Sequence, residues 1–251
     1  MDLGLKGKNV IVTGGSRGIG RATALTFADE GANVALCARG SEALEATRSE
    51  IEARGVKAFA STCDVSDPGE LERFITSARD ALGSVDVLIN NTSGFGGTDD
   101  EAGWSAGFSV DVMASVRATW QVVPWMAEQG SGAIVHISST SGLEAGSPPS
   151  YAAMKAAMIS HSKTLANELA PKGIRVNCVA PGSIEFPGGM WEQIKAHNPD
   201  HYESIRSSIP FGRLGTDTEV ATAIVFIASP RASWIAGVTL PVDGVQHKGN
   251  L

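Results

Sequence analysis

A tyrosine and a lysine, Tyr151 and Lys155, have the types and the spacing that most clearly point to chemistry. They lie four residues apart in a stretch with helical periodicity, so both side chains project from one face of a helix, one turn apart. Tyrosine in water has a pKa of about 10, too high for efficient proton transfer near neutral pH, but a neighbouring ammonium group favours the phenolate form. The pair could therefore move a proton to or from a carbonyl or alcohol oxygen. By itself the pattern is weak, because such pairs also occur on solvated helices.

A serine, Ser138, ends a predicted strand shortly before that helix. The segment Ala133–Ser138 is apolar and rich in β-branched residues, as buried strands are. Ligands of open α/β sheets bind at the carboxyl ends of the strands. Ser138 could therefore donate a hydrogen bond to the same substrate oxygen as Tyr151.

A glycine-rich turn between Thr13 and Gly20 is a second candidate site. It follows the predicted strand Asn9–Thr13 and opens a predicted helix, Ile19–Glu30. Glycines let the backbone approach a pyrophosphate, and a helix N-terminus supplies N–H groups and positive potential. The spacing is Gly-x-x-x-Gly-x-Gly rather than Gly-x-Gly-x-x-Gly, and similar turns without a ligand are common, so the motif alone is weak.

The end of the second predicted strand bears on which dinucleotide would bind. An NAD site has Asp or Glu there to bind the ribose hydroxyls, whereas this sequence has Cys37-Ala38-Arg39-Gly40. A carboxylate would repel a 2′-phosphate, and an arginine would bind it. Arg39 and Arg17 therefore favour NADP(H), although NAD(H) stays possible because solvated surface arginines are frequent.

Short apolar runs alternate with longer amphipathic ones along the chain. This alternation predicts a single α/β domain over residues 1–251, a doubly wound Rossmann fold with a mostly seven-stranded parallel sheet and helices on both faces. The predicted strands are Asn9–Thr13, Asn33–Ala38, Lys57–Thr62, Val85–Asn90, Ala133–Ser138, Ile174–Val179 and Val238–Val242. The predicted helices are Ile19–Glu30, Ser41–Arg54, Pro68–Leu82, Gly103–Gln129, Ser150–Leu169 and 217–228. Residues 183–216 are the least regular part, and we expect a substrate loop or lid there.

Composition excludes several other classes of protein. The net charge is −7 without a strongly basic stretch, which argues against nucleic-acid binding. No apolar run reaches the ~18 residues of a membrane span. Three cysteines without a CxxC pair are typical of a reduced, cytoplasmic protein. We expect no metal site, since His197 and His201 are separated by Pro199 and lack a third ligand.

The order and spacing of these motifs resemble those of the short-chain dehydrogenase/reductase family over nearly the whole chain. Tyr151 follows Ser138 by thirteen residues, and Lys155 follows Tyr151 by four. The other matching segments are Thr13–Gly20, Cys63–Val65, Leu88–Asn91, Ile174–Asn177, Ala180–Gly182, Arg213 and Val242–Gly244.

The resemblance implies roles for the matching residues. Tyr151 would be the general acid–base residue, Lys155 would bind the nicotinamide ribose and favour the Tyr151 phenolate, and Ser138 would polarise the substrate oxygen. Asp64 and Val65 would contact the adenine. The cofactor-binding residues would be Gly14, Ser16, Arg17, Gly18, Ile19, Gly20, Arg39, Asp64, Val65, Asn90, Tyr151, Lys155, Pro181, Gly182 and Ile184.

The expected activity is hydride transfer between NADP(H) and a small-molecule carbonyl compound or secondary alcohol, in a homotetramer or homodimer. One alternative is an NAD-linked alcohol, sugar or hydroxysteroid dehydrogenase. Another is a nucleotide-binding homologue with weakened catalysis. Phe95, Phe186, Met190 and Trp191 suggest a partly apolar pocket but do not identify the substrate.

Asp111 stands where the family usually has the Asn of a proton relay, so it joins the candidate catalytic residues. An ionised Asp accepts hydrogen bonds but cannot donate them, and its charge would offset that of Lys155. Thr92-Ser93-Gly94, Phe186 and Val245 also depart from the family pattern.

We therefore predict that the protein with Asp111 has a modestly lower rate than the protein with Asn at this position. Its pH optimum should also be higher. The pH–rate profile of an Asp111→Asn variant measures this effect, and an unchanged profile would contradict it.

Overall fold

Seven parallel strands form the central sheet of the protein, seen here in a computed structural model that describes residues 2–250. They are β1 (Asn9–Thr13), β2 (Asn33–Ala38), β3 (Ala58–Thr62), β4 (Val87–Asn90), β5 (Gly132–Ile137), β6 (Ile174–Pro181) and, after two short strands described below, β9 (Thr239–Val242). Their order across the sheet is β3-β2-β1-β4-β5-β6-β9. The predicted doubly wound sheet is confirmed.

Helices cover both faces of this sheet. The helices are α1 (Gly18–Asp29), α2 (Ser41–Glu52), α3 (Pro68–Leu82), α4 (Glu101–Ala106), α5 (Ala114–Gln129), α6 (Pro149–Leu169), α7 (Met190–His197), α8 (Pro199–Ser208) and α9 (Asp217–Ala228). A π-helix, Gly107–Met113, joins α4 to α5. Short 3₁₀ turns span Thr140–Gly142, Ala170–Lys172 and Pro230–Ala232.

The inner strands β1, β4, β5 and β6 are mostly apolar and mostly buried, because helices cover both faces of the sheet there, whereas the edge strands β3 and β9 are only partly buried. Side chains alternate between the faces: Val10 and Val12 pack in the core on one side with α1 and α9, and Ile11 packs on the other side with α3 and α5. All five residues of β1 are buried. A central strand with this pattern fixes the register of its neighbours, since a shift by one residue would exchange the two cores.

The strand order reverses between β1 and β4, which pair in parallel from Val10↔Val87 to Thr13↔Asn90. From β1 the chain crosses to β2 and β3 on one side and later returns to β4 on the other. Such a reversal leaves a crevice at the carboxyl ends of the strands, where α/β proteins bind ligands. The glycine-rich turn follows β1 directly and therefore borders this crevice.

The predicted long helix Gly103–Gln129 is three segments, because the hydrogen-bond pattern widens into the π-helix at Gly107–Met113. A Cβ atom on Gly107 would lie 2.9 Å from Cγ of Met154, so the π-helix packs closely on α6. Pro124 lies inside α5.

Residues 183–216 are more regular than the sequence predicts. They contain α7, α8 and two short paired strands, β7 (Ile184–Glu185) and β8 (Gly215–Thr216). Pro199 starts α8 rather than breaking it, and the Asn198 side chain accepts a hydrogen bond from the His201 N–H as its N-cap. The helices α7 and α8 were not predicted, because proline at the first helical position of α8 was interpreted as a loop residue. A lid function for this segment stays a prediction.

None of the helices between residues 2 and 250 combines the length and the apolarity that crossing a membrane requires.

A buried histidine, His136 on β5, makes stability sensitive to acid. It is fully buried, with Nδ1 3.2 Å from Asn90 Nδ2 and its ring centre 5.4 Å from that of His161. Burial, with a smaller contribution from the nearby His161, lowers the pKa of His136 to about 3. The native state therefore favours neutral His136, whereas the unfolded chain takes up a proton near the ordinary value of 6.5.

We predict that the resulting stability is complete above pH ~6.5 and is lost as the pH falls towards 3. From pH 7.5 to 5 the free energy of unfolding should fall by about 2 kcal/mol through His136. Urea unfolding of a His136→Asn variant should show a smaller acid dependence, while His197→Asn, at an exposed histidine, should match the parent. Equal acid dependence in all three proteins would contradict this assignment.

Candidate active site

Tyr151 and Lys155 lie in the first turns of α6, facing the carboxyl end of β5. Pro149 occupies the first helical position, where its fixed φ suits a helix start. The Lys155 Nζ lies 5.6 Å from the centre of the Tyr151 ring, and only 3% of the Lys155 side chain is exposed. The predicted juxtaposition of phenol and ammonium is therefore present, with the charge largely shielded from water.

The Lys155 ammonium has two protein partners. Nζ lies 2.8 Å from Oδ1 of Asp111 and donates a hydrogen bond to the Ile137 carbonyl at 3.1 Å. Burial alone would lower the pKa of Lys155, but the nearby charges of Asp111 and Tyr151 outweigh it and raise this pKa. An ammonium carries three donors, so one N–H remains for the crevice.

Asp111 reaches Lys155 from the π-helix and is itself almost fully buried. Its second oxygen, Oδ2, accepts a hydrogen bond from the Gly94 N–H at 2.7 Å. The carboxylate therefore bridges the lysine and the segment after β4, a contact that the sequence does not indicate.

The glycine-rich turn connects β1 to α1 and continues into the first turn of α1. Gly14 has φ +72°, a left-handed conformation that favours glycine, and a Cβ atom on Gly20 would lie 2.1 Å from the Gly14 carbonyl oxygen. Among residues 2–250 no side chain caps the N-terminus of α1, so the first N–H groups of this helix lack a side-chain acceptor. This cradle fits the pyrophosphate of a dinucleotide. Gly14, Ser16, Arg17, Gly18, Ile19 and Gly20 all lie in this turn or in the first turn of α1.

Comparison with known proteins agrees with this geometry. Residues 14–245 match the family model described as enoyl-(acyl carrier protein) reductase. The isoepoxydon dehydrogenase of Penicillium expansum is 37% identical over 251 residues, covering 98% of this chain and 97% of that protein. The chain belongs to the short-chain dehydrogenase/reductase family. The predicted resemblance and the prediction of a nicotinamide-dependent oxidoreductase are confirmed.

Solved structures of this family have the same fold. L-sorbose reductase from Gluconobacter frateurii, in complex with NADPH and L-sorbose, superposes with a TM-score of 0.91 at 33% identity, covering 99% of this chain and 100% of that one. A xylitol dehydrogenase with bound NAD⁺ gives a TM-score of 0.88 at 30% identity, covering 95% and 98%. A nicotinamide cofactor is therefore supported, while these relatives do not distinguish NADP from NAD.

Ser138 makes a different contact from the one expected. Its side chain is buried, and its hydroxyl donates a 2.7 Å hydrogen bond to the backbone carbonyl of Lys155. The hydroxyl proton is therefore directed at α6 rather than at a substrate.

Ser139, the next residue, was missed by the sequence analysis. Its Oγ accepts a hydrogen bond from the Ser141 N–H at 3.1 Å, and its own proton has no acceptor among residues 2–250. Successive side chains of an extended segment point in opposite directions, so these two serines cannot have the same role. That alternation is visible in the sequence, but the direction of each side chain is not.

Asn91 is a second residue that the sequence analysis did not single out as a ligand or support. Its Nδ2 donates to the carbonyls of Thr13 and Gly14 at 3.1 and 3.0 Å, so it fixes the glycine-rich turn. Its neighbour Asn90, a predicted cofactor residue, is buried. The Asn90 Nδ2 donates a hydrogen bond to Thr119 Oγ1 at 3.4 Å, while Asn90 Oδ1 has no hydrogen-bond partner among residues 2–250.

At the end of the crevice where the adenosine is predicted to bind, Asp64 and Val65 follow β3, Arg39 follows β2 and Arg17 precedes α1. The Asp64 carboxylate accepts hydrogen bonds from the Ser66 N–H and hydroxyl, and these bonds lower the pKa of Asp64. Val65 is buried in the core beside α3. Arg17 and Arg39 are exposed, and neither guanidinium has an ion pair or hydrogen bond within residues 2–250. Both therefore remain available for an anion.

Pro181 is the last residue of β6, Gly182 follows it and Ile184 begins β7. The Ser183 N–H donates to Gln246 Oε1 at 2.8 Å, so the C-terminal segment holds this turn. The Phe186 ring lies against the glycine-rich turn: a Cβ atom on Gly18 would be 2.6 Å from it. Phe186 thus covers the start of α1.

Only one of the four residues suggested for an apolar pocket contacts Tyr151. The Phe95 ring stacks on the Tyr151 ring. Trp191 packs instead in a small core with Tyr202, and Met190 is exposed at the start of α7. Among residues 2–250, no three histidine, cysteine or acidic side chains are grouped as a metal site would require.

Proposed function

We propose that this protein interconverts a carbonyl compound and a secondary alcohol with NADP(H), using Tyr151 as the general acid–base residue. The observation that carries this proposal is the buried ammonium of Lys155 beside the Tyr151 ring, with one N–H left for the crevice. A positive charge shielded from water acts on a neighbouring phenol more strongly than a solvated one, although Asp111 offsets part of this charge here. The name of the related isoepoxydon dehydrogenase, an oxidoreductase, supports the same class of reaction.

In the reduction direction, the Tyr151 hydroxyl donates its proton to the carbonyl oxygen as that oxygen gains negative charge. A serine hydroxyl donates a hydrogen bond to the same oxygen. Lys155 holds the phenolate that remains and donates its free N–H into the crevice. The nicotinamide, when bound, supplies the hydride. Oxidation of an alcohol uses the same groups with Tyr151 as the base.

The proposed cofactor residues are those of the glycine-rich turn, the adenosine end and the segment after β6. The uncapped N-terminus of α1 would bind the pyrophosphate, and Phe186 would move aside from Gly18 to admit it. Arg39 and Arg17 support a 2′-phosphate, because their guanidinium groups are free while those of Arg21 and Arg54 pair with acidic side chains.

We also propose a homotetramer or homodimer. Trp234, which precedes the edge strand β9, is 99% exposed, and Trp120 on α5 is 63% exposed. Exposed aromatic side chains beside an open sheet edge are typical of interfaces. Light scattering of the purified protein would give the mass of a single chain if this proposal is wrong.

We predict that NADPH binds more tightly than NADH and that Arg39→Ala removes most of this difference. Loss of a charged hydrogen bond to phosphate should weaken NADPH binding about tenfold or more and leave NADH binding nearly unchanged. Fluorescence titration measures both constants. Arg54→Ala, which removes an exposed arginine paired with Asp29, is the matched control. Equal affinities for the two cofactors in the parent protein would favour the NAD-linked alternative, and binding of neither would contradict the proposed function.

The two serines give a separate prediction. We propose Ser139, rather than Ser138, as the serine that polarises the substrate oxygen, because only Ser139 has an uncommitted hydroxyl proton. Ser139→Ala should lower kcat by about 10²-fold or more, as loss of an oxyanion donor does. Ser138→Ala should lower the unfolding free energy by about 1 kcal/mol and change kcat by less than about threefold.

Steady-state kinetics and thermal unfolding of both variants test this assignment, with Tyr151→Phe defining the background rate. A larger loss of kcat in Ser138→Ala than in Ser139→Ala would support the serine expected from the sequence.

A further inference from the structure

Phe95 forms an aromatic wall beside the proposed acid–base residue. Its ring centre lies 6.0 Å from that of Tyr151, with only 5° between the planes, and 58% of Phe95 is exposed. The backbone of Phe95 has φ +42°, in the left-handed region that bulky residues rarely adopt. A conformation of this kind persists only where the surrounding contacts enforce it.

The Phe95 N–H itself donates a hydrogen bond to Ser93 Oγ at 3.2 Å, and two further contacts, one on each side of Phe95, hold the turn. The Gly94 N–H donates to Oδ2 of Asp111 at 2.7 Å, and the Gly96 carbonyl accepts from the hydroxyl of Ser150 at 2.6 Å. Ser150 precedes Tyr151 in α6, and Asp111 contacts Lys155 in the same helix. The turn that carries Phe95 is therefore attached to the proposed catalytic helix at both ends.

A carboxylate at position 111 matches this arrangement better than an amide. Lys155 and the Gly94 N–H are both donors, and each faces a separate oxygen of Asp111. The side chain of Asn has one oxygen and one NH₂ group, so its NH₂ group would face one of the two donors. A Cβ atom on Gly94 would lie 2.6 Å from the Ala106 carbonyl oxygen, which leaves this turn little room to shift.

We propose that Asp111 is a positioning residue that holds Phe95 against Tyr151, and that Phe95 selects flat cyclic carbonyl compounds over open-chain ones. A carbonyl oxygen that reaches the Tyr151 hydroxyl brings the substrate skeleton beside the exposed Phe95 face. A flat ring gains stacking energy there that an open chain does not. The selectivity rests on the proposed carbonyl chemistry at Tyr151, whereas the positioning does not.

The positioning is tested without turnover, because the chain has only two tyrosines, Tyr151 and Tyr202. NMR of protein labelled with ¹³C-tyrosine gives two ring signals, which Tyr202→Phe assigns. We expect Phe95→Ala to shift the Tyr151 signal by removing the ring current, and Phe211→Ala, at another exposed phenylalanine, to leave it in place.

Asp111→Asn should also shift the Tyr151 signal, both through Phe95 and through the charge beside Lys155. The two effects separate in the double variant: the shift caused by Asp111→Asn should be clearly smaller when Phe95 is already alanine. An equal shift in both backgrounds would overturn the positioning role. If Asp111→Asn does not fold, Ser150→Ala, which removes the second attachment, should displace the Tyr151 signal in the same way.

The selectivity is tested with two nine-carbon ketones: 1-indanone, whose ring system is nearly flat, and 2-nonanone, which is an open chain. Phe95→Ala should lower kcat/KM about three- to tenfold for the ring, mainly through KM, and less than about twofold for the chain. Equal losses for both ketones would overturn the selectivity. If the parent protein reduces neither ketone, the dissociation constants of both ketones, measured from the Tyr151 NMR signal in the parent and in Phe95→Ala, decide the selectivity without turnover, and equal affinity for the two ketones would overturn it.

Discussion

The ammonium group of Lys155 carries its charge in a region from which water is nearly excluded, where an unpaired charge would cost several kcal/mol. Two elements supply partners: the carboxyl end of β5 offers the Ile137 carbonyl, and the π-helix offers the Asp111 carboxylate. These partners fix the position of the side chain and leave one N–H directed at the crevice. The proposed acid–base chemistry depends on this arrangement, because a shielded charge acts on the Tyr151 phenol more strongly than a solvated one. The packing of β5, the π-helix and α6 therefore determines whether the site can work.

Most of the fold could be predicted from the sequence because its signals are local. Buried parallel strands have continuous apolar runs, and caps and glycines mark the helix ends, so the seven strands and the order of the main helices follow from pattern alone. The π-helix could not be predicted, because its widened turn accompanies the close packing of Gly107 on Met154 of α6, a contact between distant residues. The helices α7 and α8 were missed for another reason. Pro199 and Asn198 form a helix start, and the same residue types are also typical of loops.

The site was predictable to the extent that its residues share one element. Tyr151 and Lys155 lie on one helix, so their spacing alone predicts that they lie close together. The serine contacts required tertiary structure, since the Ser138 hydroxyl is directed by a carbonyl of α6 that only folding brings near. Asn91 was missed for the same reason: its amide donates hydrogen bonds to the carbonyls of Thr13, at the end of β1, and of Gly14, in the glycine-rich turn. Sequence patterns thus identify the residue types of a site, while their hydrogen-bond partners come from elements distant in the chain.

Asp111 illustrates how two departures from a family pattern can belong together. In the sequence, Asp for Asn resembles an isolated defect beside the catalytic lysine, and the substituted segment Thr92-Ser93-Gly94 resembles another. In the structure Asp111 contacts this segment, because its second carboxylate oxygen accepts a hydrogen bond from the Gly94 N–H. The ion pair of Asp111 and Lys155 is neutral overall, whereas Asn would leave the lysine charge uncompensated at that contact. A carboxylate therefore lowers the cost of burying Lys155 and orders the segment that carries Phe95. The charge of Asp111 and its ordering of the Phe95 turn therefore act in opposite directions: the charge opposes the effect of Lys155 on Tyr151, whereas the ordering keeps the aromatic wall of the site in place.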